Sequence, residues 1–231
     1  ARPLPEPPPQ LAIAKAAELL KGASGVAFVA SPVASNEDLL AAFAFAKDAL
    51  KTTTVYVTGR ADGVADDFLI TADKNPNRKG LENIAKGFGF TVKPFAELTA
   101  ALGKSIKALY AVGTEVPEAP ETFAQRLDGV TFVVSATNES AITNVADVVL
   151  AASTHLEDEG TFTQEAGITQ RFRRAFPPKS ESQPHWKWAV ELGKGFGLEL
   201  RGHSSREVFK SLSANVPELA NYAWDKEGPM N

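Results

Sequence analysis

Cysteine is absent from this chain of 231 residues, methionine occurs once and histidine three times. Without cysteine there is no disulfide, no thiol nucleophile and no thiolate to hold an iron–sulfur cluster. His155, His185 and His203 lie far apart in the sequence and form no HExxH-type pair. No metal ligands are therefore assigned, and the chain by itself is expected to carry no iron, zinc or molybdenum. The only methionine is Met230, so the chain reads as a processed form or a fragment. No apolar run approaches the roughly 20 residues a membrane helix needs. A leader with a charged start, an apolar centre and a small-residue cleavage site is also missing. An excess of one charge is lacking too: Lys and Arg number 24 against 28 Asp and Glu, a net charge of −4. No basic field draws the chain to nucleic acid or anionic lipid.

What is present is an ordinary globular composition, 44% hydrophobic and 23% charged, long enough to bury a core. Five of the first nine residues are proline, which makes residues 1–10 an extended linker or arm. Leu11, Ala14, Ala17 and Leu20 then recur at helical spacing. Residues 25–31 (GVAFVAS) read as a buried strand. Ser35 is a helix N-cap with Glu37 and Asp38 in the first turn, and Leu39, Phe43, Ala46 and Leu50 continue one apolar helix face. Residues 52–58 are β-branched and aromatic, a second strand. Residues 59–80 form a long polar loop around the apolar piece Phe68-Leu69-Ile70, and loops of that length in compact domains are commonly functional. Helices are expected over 80–86 and 95–102 and from Pro120, with strands at 108–112, 130–134 and 148–150. Alternating strands and helices predict an α/β fold, a doubly wound and mostly parallel sheet. A β-hairpin at 161–163 and 168–172 and C-terminal helices from Pro184 and over 204–212 complete it. The expected division is an arm over 1–10, a dinucleotide-like domain over 11–178 and a helical extension over 179–231.

Nucleotide fingerprints fail on inspection. Gly103-Lys104-Ser105 ends like a phosphate-binding loop, but Leu98 stands where the first glycine must be. The glycines from Gly193 to Gly197 follow a helix and read as its C-terminal cap. Three segments fall at carboxyl ends of strands, where a doubly wound sheet presents its ligand edge: residues 31–38, Gly113-Thr114-Glu115 and residues 135–140. Ordinary turn and capping chemistry explains such small polar residues equally well. Glu157, Asp158 and Glu159 precede the hairpin and Arg171, Arg173 and Arg174 follow its start. The acids read as a solvated loop. Residues 155–178, with Phe162, Phe172 and the arginines, suit either a docking surface for a neighbouring chain or a cover for the domain's own sheet edge.

Four segments together resemble a known family. They are Ser35-Asn36-Glu37-Asp38-Leu39; Ala65-Asp66-Asp67-Phe68-Leu69-Ile70 with Ala72-Asp73-Lys74-Asn75-Pro76-Asn77; Ala146-Asp147-Val148-Val149-Leu150; and Glu159-Gly160-Thr161-Phe162-Thr163 running to Gln170-Arg171-Phe172. Their order and spacing resemble the molybdopterin oxidoreductases over residues 11–196. Within that family the resemblance is nearest to the large iron–sulfur subunits of bacterial NADH:quinone oxidoreductase, respiratory complex I. It implies an α/β fold that in catalytic relatives holds a molybdopterin guanine dinucleotide. Carried over position by position, Asn75, Asn77, Gly113, Thr137 and Gln164 are the cofactor-binding candidates, and no catalytic residue is assigned. The family's cysteine-rich cluster domains and closing barrel are missing. Its usual Asn and Arg after the GTFT run are replaced here (Gln164-Glu165-Ala166-Gly167-Ile168), which removes a fork-shaped phosphate donor.

The resemblance implies a cofactor-free, non-catalytic structural module of an NADH dehydrogenase complex. Such a module would scaffold subunits that carry iron–sulfur clusters and flavin, in the cytoplasmic, peripheral arm of a membrane-associated assembly. Nucleic acid and membrane insertion are not expected. One alternative is a fragment of a molybdopterin-dependent oxidoreductase such as a formate dehydrogenase, binding part of the pterin dinucleotide. Another is a free-standing α/β protein that binds a small ligand.

Overall fold

A computed structural model describes residues 8–224, so most of the expected proline arm lies outside the described residues. Where the description begins, Pro8 is extended and Pro9 opens helix α1 (Pro9–Gly22). A proline is harmless in a first turn because that N–H has no helical partner. The expected α/β order follows. β1 (Val26–Ala30), α2 (Asn36–Asp48), β2 (Thr54–Val57), α3 (Arg78–Phe88), β3 (Thr91–Pro94), α4 (Phe95–Ala101), β4 (Ala108–Val112), α5 (Pro120–Arg126), β5 (Thr131–Ala136) and β6 (Val148–Ala151) build one sheet and its crossovers. All five strand pairings are parallel. Strand order is β3-β2-β1-β4-β5-β6, which puts the reversal of winding between β1 and β4. No described helix is long and apolar enough to cross a membrane.

Because side chains alternate along a strand, each central strand feeds two cores. Ala27, Val29, Leu109, Ala111, Phe132 and Val134 meet Leu98 of α4 and Phe123 of α5 on one face. Phe28, Ala30, Tyr110, Val112 and Val133 meet α2 and α3 on the other. Two C-terminal helices, α6 (His185–Gly195) and α7 (Ser205–Leu212), join this second core through Trp188, Leu192, Val208 and Phe209. Phe28 anchors it, edge-on to Phe43 with centroids 5.0 Å apart and stacked on Tyr110 at 5.9 Å.

Helix α2 departs from the single apolar face its spacing suggests. Every residue from Asn36 to Ala46 is buried. The sheet lies beneath the helix while α3, α6 and α7 pack around it, so small alanines fill the positions that would otherwise face water. β3 is the strand the sequence reading omits. It is a four-residue edge strand, mostly exposed and ended by Pro94, with no buried alternation to betray it.

Past β6 the hairpin forms as expected, with β7 (Gly160–Thr163) antiparallel to β8 (Thr169–Phe172). A one-turn helix, α8 (Pro217–Ala220), precedes Trp224, which is buried against Phe209. Phe43 contacts Phe28, Phe88 and Phe90 at once. Phe43→Ala is expected to lower the unfolding free energy by about 3–5 kcal/mol, the usual result of emptying a tight aromatic site. Urea unfolding followed by circular dichroism measures this, and a loss under about 1 kcal/mol would show that the core collapses into the space.

Candidate functional site

The site is built outward from the start of α2. The Ser35 hydroxyl accepts the Asp38 amide at 3.2 Å, while one Asp38 carboxylate oxygen accepts the Ser35 amide at 3.1 Å and hydroxyl at 2.7 Å. This reciprocal box satisfies donors a helix N-terminus leaves open. The other Asp38 oxygen accepts the Trp186 amide at 2.9 Å, which ties down the start of α6. Asn36 donates its side-chain amide to the hydroxyls of Thr161 and Thr163, both at 3.0 Å. Glu37 accepts the Thr161 amide at 2.7 Å and its hydroxyl at 2.8 Å. Asn77 donates to the Ala34 carbonyl at 2.9 Å and accepts the Thr163 amide at 2.8 Å.

Strand β7 is thus held by side chains rather than by a neighbouring strand on that side. Two glycines make room for the arrangement. A Cβ on Gly160 would lie 2.5 Å from the Glu37 carboxylate, and one on Gly80 would lie 2.1 Å from the Asn77 side-chain oxygen. Burial pushes the Glu37 carboxyl up to about 8 despite the opposing Thr161 hydrogen bonds, and the neighbouring Asp38 charge adds to the rise.

Between the sheet's carboxyl edge and the docked hairpin opens a cleft of about 620 Å³. All three of the sequence-derived ligand-edge segments reach it, through Ser35 and Asp38, Gly113 and Glu115, and Thr137 and Asn138. Glu115 lies at the reversal between β1 and β4, where it accepts the Ser31 hydroxyl at 2.8 Å. A Cβ on Gly113, whose φ is +86°, would stand 2.6 Å from Ser31 and 2.7 Å from that carboxylate. Arg60 and Lys74 bring positive charge from the loop after β2, and Phe162 and Phe172 stack at 4.8 Å on the hairpin side. The Ser153 hydroxyl, on the same lining, is buried without a hydrogen-bond partner.

Of the five candidate positions, Asn75, Gly113 and Thr137 line the cleft. Asn75 also fixes its own loop, accepting the Arg60 amide at 2.8 Å and donating to the Arg60 carbonyl at 3.1 Å. Asn77 is fully buried in the hairpin clasp, and Gln164 lines a separate groove beside Asp73 and Arg78.

Several cleft residues escaped the sequence reading. His155 and His185, distant in sequence, both line it, and the His185 ring nitrogen lies 2.6 Å from the Ser135 hydroxyl. No group of three or more His, Asp or Glu among the described residues is placed to hold a metal ion. Asp158 is half-buried in the cleft wall rather than solvated. Burial first, then the charge of Asp38, raises its carboxyl to about 7. Arg171 turns inward: it pairs with Glu159 at 2.8 Å, donates to the Trp224 carbonyl at 3.3 Å and lies over the Trp224 ring. That contact belongs to the domain's own packing rather than to a docking face.

The described model of the molybdopterin oxidoreductase family matches residues 27–195. The alpha subunit of an F420-dependent formate dehydrogenase from Methanococcus maripaludis is 29% identical over 140 residues, covering 57% of this chain and 20% of that protein. A protein of Staphylococcus aureus strain USA300, described as a candidate formate dehydrogenase, is 32% identical over 81 residues, covering 35% of this chain and 8% of its own. The chain therefore spans a fifth or less of the length of these relatives.

The raised Glu37 carboxyl has a consequence for stability. Below the usual value of 4.5 both folded and unfolded chains hold the proton. Above it the unfolded chain releases the proton while the folded chain keeps it to about 8, so stability falls as pH rises through that window. Glu37→Gln, which mimics the protonated acid, is expected to gain on the wild type steadily between those limits. Urea midpoints of the two proteins across pH 5–8.5 would show this, and a difference independent of pH would mean that Glu37 is buried ionised.

Proposed function

We propose, given that this chain belongs to the molybdopterin oxidoreductase family, that it is the nucleotide-fold portion of a larger oxidoreductase of formate-dehydrogenase type whose cleft receives part of a pterin dinucleotide. The supporting observation is the cleft itself, open at the carboxyl edge of a β3-β2-β1-β4-β5-β6 sheet and carrying a hydroxyl without a partner. Its residues suit such a group in one orientation. Glu115 and Asp158 are acceptors for the ring N–H and amino groups of a guanine or pterin, and Ser153, Thr137 and Asn138 offer further polar contacts. Phe162 and Phe172 present apolar surface to a heterocycle. Phosphate would sit toward Arg60 and Lys74, away from the Glu115 carboxylate at the winding reversal. When bound, the group supplies the molybdenum and its redox chemistry, while the residues named here bind and orient. In this reading residues 11–178 form the dinucleotide-like domain and the segment from 179 onward is its C-terminal extension. The Methanococcus relative is named as a subunit, and partner chains are part of the proposal.

A second reading rests on the carboxylates. Asp38, Glu115 and Asp158 all line the cleft, a charge pattern that repels a diphosphate. This favours a cofactor-free scaffold beside the cluster-bearing and flavin-bearing chains of an NADH:quinone oxidoreductase, in the peripheral arm of that complex.

Calorimetric titration of the purified chain with GDP separates the two. Saturable binding is expected, with Glu115→Ala weakening it about tenfold, the worth of one hydrogen bond to a charged group. A folded chain that gives no binding heat with millimolar GDP would overturn the nucleotide reading. Co-purification from the native host with flavin- and cluster-bearing chains would then support the scaffold.

A further inference from the structure

We propose that the loop over residues 59–77 is a docking arm whose Phe68-Leu69-Ile70 tip enters an apolar socket with a cationic rim on a different protein. Four apolar side chains project from it: Val64 is 87% exposed, Phe68 94%, Leu69 78% and Ile70 51%. None belongs to either core cluster. Isolated exposed apolar residues are ordinary, but a contiguous group of this kind marks an interaction site.

The loop is built rather than slack. One Asp66 carboxylate oxygen accepts the amides of Phe68, Leu69 and Ile70 at 2.9, 2.6 and 2.8 Å. The Asp66 amide closes the turn on the Ile70 carbonyl at 2.9 Å, and Gly63 pairs with the Ala72 carbonyl at 2.8 Å. The Lys74 ammonium turns inward to the Val64 carbonyl at 3.2 Å and to the Thr71 carbonyl. The base is fastened by the Asn75–Arg60 bonds and by Asp73 with Arg78 at 3.0 Å. A tip already ordered in its presenting shape loses less entropy on binding.

Charge selects the occupant. Asp66 and Asp67 directly precede the tip and Asp62 is exposed in the same loop, and backbone hydrogen bonds hold the Asp66 carboxyl below its usual range, so it stays ionised. Three carboxylates repel an anionic bilayer. A two-fold contact between copies would set the same acids against one another. A lysine- or arginine-rimmed socket on another chain complements both features. The inference stands whichever reading of the cleft holds, although Arg60, Lys74 and Asn75 at the base of the arm also line that cleft.

The test places the photo-crosslinker p-benzoylphenylalanine at Phe68 in the full chain, expressed in its native host, with crosslinked peptides identified by mass spectrometry. The expected result is one segment of one other protein, apolar and flanked by Lys or Arg. Its yield should fall on the order of tenfold when Asp62→Lys and Asp67→Lys are combined, and similarly with Leu69→Ser. Melting temperatures of these variants should stay close to that of the wild type, because the replaced side chains face water. Absence of a crosslink, a crosslink to another segment of the same polypeptide or to a second copy of it, or a yield indifferent to the charge reversals would overturn the proposal. Co-sedimentation with phosphatidylglycerol vesicles that Phe68→Ser abolishes would overturn it in favour of a membrane.

Discussion

Four consecutive polar residues, Ser35 to Asp38, are buried where β1 passes into α2, and buried polar groups are tolerated only when their hydrogen bonds are made. Here the distant partners come from two places, the hairpin and the start of α6, while Asn77 ties the neighbouring Ala34 carbonyl to the hairpin; the Asn36 side-chain oxygen is the exception, buried without a partner. The helix cap is therefore also the point where chain segments separated by more than a hundred residues are fastened together. Asn36 and Glu37 select the strand that docks, Asp38 selects the helix that follows it, and Asn77 closes the arrangement from the side. Apolar burial supplies the larger driving force. It carries no direction, however, and directed bonds at the cap decide where the hairpin sits.

The cleft inherits its character from this arrangement. One side is the carboxyl edge of the parallel sheet, the other a hairpin whose position depends on the clasp. The same constraint concentrates acid at the site. Asp38 serves the cap, and its charge helps keep Asp158 partly protonated near neutrality, so a structural carboxylate tunes one that faces the cleft. Among the described lining residues the lysine and arginine side chains come from the loop after β2, which makes the cleft electrostatically lopsided. A ligand with hydrogen-donating and anionic ends would be oriented by that asymmetry before any close contact forms.

Much of the architecture was legible because the signals were local. Buried strands show as short apolar runs, Ser35 shows as a cap three residues before Asp38, and the hairpin shows as two β-branched pieces around a turn. The inward role of Asn36 and Glu37 was not legible, since Thr161 and Thr163 lie more than 120 positions away and a helix cap looks the same whether it faces water or threonine. Asp158 misled for the same reason: a run of three acids resembles a solvated loop until the packing of its neighbours is known. β3 left no trace because an exposed edge strand needs no alternation. Arg171, which the sequence left open between a docking face and a cover for the domain's own sheet edge, sits over Trp224, and nothing in the spacing of the two forecasts that contact.

The clasp also links the docking of the hairpin to a proton. Lifting β7 away from α2 would uncover the Glu37 carboxyl, and a carboxyl that meets water returns toward its usual value of 4.5. Release of the hairpin and release of that proton therefore go together, and alkaline surroundings favour local opening at this one edge. The two apolar cores carry no such dependence, so the hairpin is the part of the fold that pH addresses first.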